Sequence, residues 1–165
     1  MVVAPKNYQN LEYDIPKKLF EENGHQVFTA STVENPEGYT GGTTADVLLK
    51  NANQSNYDVL VFAGGSGSHT YFDDKKAQSL AKDFYEAGKL TCAICSSVSV
   101  FANAGILKGK KSTCFIDQAE NLKAKGAIYT GQPMEQDEKV ITGNGPSASE
   151  TFAKTIIKAL KNPQQ

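Results

Sequence analysis

The sequence predicts an α/β fold built on a largely parallel sheet. Three observations predict it. Short β-branched runs recur along the 165 residues, and several end in Gly or a small polar residue. Amphipathic stretches with helical spacing lie between them. The alternation of the two patterns is that of βα units, whose strands are buried on both faces and read as apolar runs.

The strand-like runs are MVVA at Met1, QVFTA at Gln26, YDVLVFAGG at Tyr57, KLTCAIC at Lys89, KKSTC at Lys110, AIYTG at Ala127 and KVITGNG at Lys139. Leu11, Ile15, Leu19 and Phe20 mark a first helix, and Gly24 after Asn23 supplies its stop. Pro16 falls inside that pattern, which requires a nearby helix start or a tolerated kink. Ala77, Leu80, Ala81, Phe84 and Tyr85 mark a second helix, closed by Gly88. Phe152, Ile156, Ile157 and Leu160 mark a last one, with Ser147 or Ser149 as cap. The segment 31–44, STVENPEGYTGGTT, reads as a surface loop or irregular edge rather than a linker, because compact elements flank it. No internal repeat is visible, so residues 1–165 read as one domain, with the closing NPQQ expected to fray.

The composition is that of a soluble globular protein, with 39% hydrophobic and 21% charged residues. A formal net charge of -1 offers no electrostatic case for nucleic acid or an anionic membrane. Apolar runs of about five to seven residues fall far short of a membrane span. No basic segment followed by a long apolar one opens the chain, so no signal peptide is expected. The three cysteines cannot all pair, and a chain of this size needs no disulfide staples. The expectation is a cytoplasmic protein with reduced thiols.

Cys92 and Cys95 sit in LTCAICSSVSVF, where an apolar run becomes serine-rich. On a strand they are roughly 10 Å apart at about 3.3 Å per residue. A disulfide needs Cα atoms within about 7 Å. Cys114, His25 and His69 add no metal-binding spacing, so neither a redox pair nor a metal site is expected. Cys92 reads as a core residue. Cys95 falls at a sharp strand-to-helix turn, on the edge of the sheet where α/β folds bind ligands. The amides of a following helix start would favour its thiolate and lower its pKa. The plainer alternative is a small turn residue that carries a thiol by chance. FAGGSGSH at 62–69 offers bare amides for an oxyanion hole, or simply a tight turn. It has neither a dinucleotide fingerprint nor a Walker lysine, so no nucleotide cofactor is expected.

Together these segments resemble the ThiJ/PfpI superfamily, which includes protein deglycases and PfpI-type proteases. YDVLVFAGG resembles its strand and Gly-Gly loop, and AGKLTCAICSS…ANAGILKGKKST its nucleophile elbow, helix and next strand. LEYDIP resembles the segment carrying its glutamate, and ITGNGPSASETFAKTIIKAL its last strand, Gly-Pro turn and helix. The resemblance spans nearly the whole chain. It implies a flavodoxin-like three-layer sandwich, with helices on both faces of the sheet, and a homodimer.

By position, the resemblance makes Cys95 the nucleophile and Glu12 its acidic neighbour. It makes Gly64, Gly65, Ser66 and the Ser96 amide the oxyanion pocket. Two departures bear on the chemistry. PfpI-type proteases carry His directly after the cysteine, where this chain has Ser96, and glyoxalase-like relatives carry a His where this chain has Phe115. His69 then becomes a candidate base, acting in trans from a neighbouring subunit, beside the plainer reading of a solvated loop histidine. His25 reads as structural surface. The resemblance implies a cysteine-dependent enzyme of small reactive carbonyls, glyoxalase- or deglycase-like. The alternative is a non-catalytic oxidation sensor working through Cys95. A peptidase or amidase is disfavoured by Ser96.

Overall fold

The structure is a computed structural model that describes residues 1–162. Strand β1 (Lys6–Tyr8) leads into helix α1 (Asn10–Glu22). Three short strands follow: β2 (Ala30–Ser31), β3 (Glu37–Gly38) and β4 (Val47–Leu48). Next come β5 (Val59–Phe62), α2 (Lys75–Glu86), β6 (Leu90–Ile94) and α3 (Val98–Asn103). The chain continues through β7 (Lys111–Ser112), α4 (Ala119–Ala124) and β8 (Ile128–Tyr129). It closes with β9 (Met134–Asp137), β10 (Val140–Gly143) and α5 (Ser149–Lys161).

β6 runs parallel between β5 and β10, and β9 adds an antiparallel edge. On the far side of β5 the chain start takes the next place. Val2 donates to the Val61 carbonyl, Ala63 to that of Val2, and Val3 to that of Ala30. Beyond it β2 pairs with β4. The resulting order is β4, β2, residues 1–4, β5, β6, β10, β9, a doubly wound sheet of the flavodoxin-like type. One cluster of buried side chains includes Phe62, Phe84 and Phe101; the other includes Ile94, Ile141, Phe152 and Ile156. Each packs helices onto one face of the sheet. All five residues of β6 are buried, as a central strand covered on both sides requires.

Several expectations change. Of QVFTA only Ala30 enters a strand; its N–H donates to the Met1 carbonyl and its carbonyl accepts from Val3. KKSTC and AIYTG each contribute two residues, which pair with one another outside the main sheet. The loop at 31–44 contains β3, which pairs with β1. α3 is the helix expected after the elbow, whereas α4 and β9 were not evident in the sequence, being short or only half-buried. α1 runs through Pro16, which has no N–H to offer the Glu12 carbonyl. Neither serine caps α5. A 3-10 turn at Pro146–Ala148 leads in, and Ser149 Oγ is buried without a partner. Gly24 and Gly88 do end their helices, at φ of 83° and 70°. The expected fraying at 162–165 lies, beyond Asn162, outside the described residues. No helix among the described residues is long and apolar enough to cross a membrane.

Candidate active site

The site is built where β6 ends. Ile94 is extended, and Cys95 then takes φ of 66°, a left-handed conformation that a side chain rarely adopts. The chain turns there into a 3-10 turn, Cys95–Ser97, and then into α3. This bend throws the thiol out of the strand line at the carboxyl edge of the sheet, between β5 and β10. Cys95 is 6% exposed, so the residue is almost wholly enclosed. Cys92, mid-strand in β6, is fully buried, and burial pushes its thiol far up.

Glu12 arrives from the first turn of α1 and has no exposure at all. Its Oε2 accepts from the Gly64 N–H at 2.8 Å. Its carboxyl also interacts with the Cys95 thiol, although Oε1 has no well-aligned hydrogen-bond partner. The three residues meet at one point. A Cβ on Gly64 would lie 2.6 Å from Cys95 Cβ, 2.7 Å from Glu12 Oε2 and 2.8 Å from the Ile94 carbonyl. Only glycine leaves room there. Burial raises the Glu12 pKa to about 7, opposed by its bonds to Cys95 and Gly64.

The expected low thiol pKa is not what the structure gives. Burial first, then the Glu12 charge, push Cys95 up to about 12, against a hydrogen bond from the Gly65 N–H. The helix beyond the turn has only six residues, so its dipole is weak beside these effects. Cys95 and Glu12 therefore titrate as a pair, and the first proton to leave belongs to both.

The expected oxyanion donors separate. The Gly64 N–H is taken by Glu12, and the Ser66 N–H donates to the Tyr39 hydroxyl at 2.6 Å. The Gly65 N–H faces the sulfur, and the Ser96 amide follows the nucleophile as an elbow requires. Gly65 has φ of 104°, and a Cβ there would lie 2.5 Å from the Asn7 carbonyl. Glycine is required again.

His69 is exposed, stacked on Phe72 at 4.4 Å, and joins none of these contacts within the subunit. His25 is half-buried rather than openly exposed, with Nε2 enclosed and unpartnered. It lines a cavity of about 290 Å³ with Met1, Phe28 and Val59, at the opposite edge of the sheet from Cys95. Cys114 is buried near Cys95, whose charge adds to the burial that raises it to about 12. The next residue, Phe115, donates its N–H to the Cys95 carbonyl at 3.2 Å.

Sequence reasoning missed the supports. Asn10 holds the loop after β3 through bonds to the Gly41 carbonyl at 3.1 Å and the Thr40 N–H at 2.9 Å. Tyr39 in that loop then holds Ser66. These contacts join residues 27 to 31 positions apart, and no local pattern announces them.

The DJ-1/PfpI family model matches residues 1–159. The chain belongs to the DJ-1/PfpI family. An uncharacterised protein of Methanocaldococcus jannaschii is 37% identical over 98% of this chain and 81% of its own. A deglycase of Thermococcus kodakarensis is 24% identical over 98% of both chains. Among solved structures, a ThiJ/PfpI domain protein from Brachyspira murdochii superposes with a TM-score of 0.94 at 31% identity, covering 97% of this chain and 94% of that one.

Proposed function

We propose that this DJ-1/PfpI protein is an enzyme of small reactive carbonyls, with Cys95 as nucleophile and Glu12 as proton shuttle. The observation that carries the reading is the Cys95–Gly64–Glu12 contact. A buried carboxyl whose pKa lies near 7 touches a buried thiol. That is the poise acid–base work at neutral pH needs. The deglycase name of the Thermococcus relative supports the same chemistry.

For a 2-oxoaldehyde such as methylglyoxal the steps are these. The thiol proton passes to Glu12 as sulfur bonds to the aldehyde carbon, and the resulting alkoxide takes that proton to give a hemithioacetal. Glu12 then removes the hydrogen on that carbon and returns it to the neighbouring carbon, while the hydroxyl proton of the first carbon passes to the oxygen of the neighbour. This leaves a thioester, which water hydrolyses to the 2-hydroxy acid and free thiol. The aldehyde carbon is oxidised while its neighbour is reduced, so no external oxidant is needed. The Gly65 and Ser96 amides support the developing oxyanion. The working unit is read as a homodimer in the cytoplasm, where His69 of the partner subunit is available to assist.

Incubating the protein with a panel of small aldehydes and mapping adducts by mass spectrometry tests the reading. Adducts concentrated on Cys95 are expected. Adducts only on surface lysines would overturn it. Oxidation at Cys95 by peroxide without any aldehyde reaction would favour a sensor.

A further inference from the structure

Two aromatic side chains that the reaction steps leave unused stand open beside the site. Tyr39 is 49% exposed and Phe115 39% exposed. A single exposed aromatic is ordinary. These two are anchored on either side of the same elbow.

Tyr39 is held from the β5 side. Its hydroxyl accepts from the Ser66 N–H at 2.6 Å and donates to Ser66 Oγ at 2.9 Å. Ser66 follows Gly65, whose N–H faces the Cys95 sulfur. Phe115 is held from the β10 side. Its N–H donates to the Cys95 carbonyl at 3.2 Å. Its ring carbon Cδ2 lies 3.7 Å from where a Cβ on Gly145 would sit. Gly143 is in register with Ile94, so Gly145 belongs to the turn that leaves the sheet beside Cys95 and Ser96. β6 runs between β5 and β10, and the two anchors therefore flank the elbow at the carboxyl edge of the sheet.

Depth separates the two ends of a substrate. Cys95 is almost wholly enclosed, so the small aldehyde end goes down to the sulfur and the substituent stays near the surface. There it meets apolar faces. The Tyr39 hydroxyl is already committed to Ser66, so what that residue offers a ligand is its ring.

We propose that Tyr39 and Phe115 form a subsite for an aromatic or flat apolar substituent, so that aryl 2-oxoaldehydes are favoured over methylglyoxal. The inference rests on the carbonyl reading for the reacting group and adds the substituent. Phe115, where glyoxalase-like relatives carry His, then binds substrate instead of moving a proton.

The test compares alkylation of Cys95 by phenacyl bromide and by acetonyl bromide, read by peptide mass spectrometry on the full chain. The sulfur displaces bromide from both, and the probes differ only in phenyl against methyl. Dividing the rate ratio by that for glutathione removes their intrinsic difference. An aromatic contact is worth roughly threefold to tenfold, so two rings should give the wild type a corrected preference of at least about tenfold. Phe115→Ala and Tyr39→Leu should each lower it by roughly threefold to tenfold. Phe115→Tyr, which keeps the ring, and Tyr39→Phe, which loses only the Ser66 bonds, should retain it. A wild-type ratio equal to that of glutathione, or a preference that survives either truncation, overturns the subsite. Turnover of phenylglyoxal and methylglyoxal is measured alongside. No turnover of either in a protein with the expected preference would remove the carbonyl reading and leave the subsite standing. Turnover without the preference would do the reverse.

Discussion

Glu12 and Cys95 meet across a glycine. The space a side chain would need on Gly64 is already filled by Cys95 Cβ and Glu12 Oε2, at 2.6 Å and 2.7 Å from where that chain's first carbon would sit. The Gly64 N–H also fixes the carboxyl that would move the proton.

Gly64→Ala should therefore separate acid from nucleophile. The Ile94 carbonyl is the third obstacle and belongs to backbone that cannot swing away. Turnover is expected to fall by at least about a hundredfold, with a stability cost of about 1–3 kcal/mol from overpacking. Kinetics and thermal melting check this, and full activity in the variant would mean that the contact is not needed.

Glu12 should leave a pH signature on stability. Its pKa rises from 4.5 in the unfolded chain to about 7 in the folded one. Between those values the folded state holds more protons, so stability falls as pH rises from about 4.5 through about 7. Glu12→Gln removes that loss. The variant should gain up to about 3 kcal/mol relative to the wild type on going from below to above this window. Urea unfolding at both ends of the window measures it.

The same pair should set the pH profile of turnover. The reactive form has lost one proton from Cys95 and Glu12 together, so kcat/KM should rise with pH through about 7. The Glu12→Gln variant, which cannot move a proton, should bind aldehyde but lose the limb and most of the turnover. A wild-type profile flat across this region would exclude Glu12 as the base.

Thiol reactivity should rank Cys95 first. Cys92 is closed off mid-strand, and Cys114 is 1% exposed with its thiol raised to about 12. Alkylation at neutral pH should label Cys95 ahead of both, and earlier labelling of Cys92 or Cys114 would contradict the elbow geometry.

Within its own chain His69 stacks on Phe72 and joins none of the Cys95 contacts, so on the proposed dimeric reading it would act from a neighbouring subunit. His69→Ala should then lower turnover by roughly tenfold to a hundredfold in a protein that sediments as a dimer. Unchanged turnover across about pH 5 to 9 would make it an ordinary loop residue.

The central strands were legible because burial on both faces writes a continuous apolar run, as in Leu90–Ile94. Cys95 was legible because that run stops abruptly at a serine-rich turn, and Glu12 only through the family resemblance. The elements that escaped are short and held by distant partners, such as β3 and the Tyr39 loop that it presents to Ser66. The thiol pKa was misjudged for a related reason. Helix position is local and readable, whereas the burial that outweighs it comes from distant segments and the Glu12 charge from a residue more than 80 positions away. Likewise, Gly64 and Ser66 look like free amide donors until Glu12 and Tyr39 are seen to occupy them.

The most direct test of the account is methylglyoxal turnover, followed as lactate formation, in wild type and Cys95→Ser. The account predicts conversion in the wild type and a loss of at least about a thousandfold in the variant, with the fold intact by circular dichroism. Conversion that survives the loss of the Cys95 sulfur would contradict it.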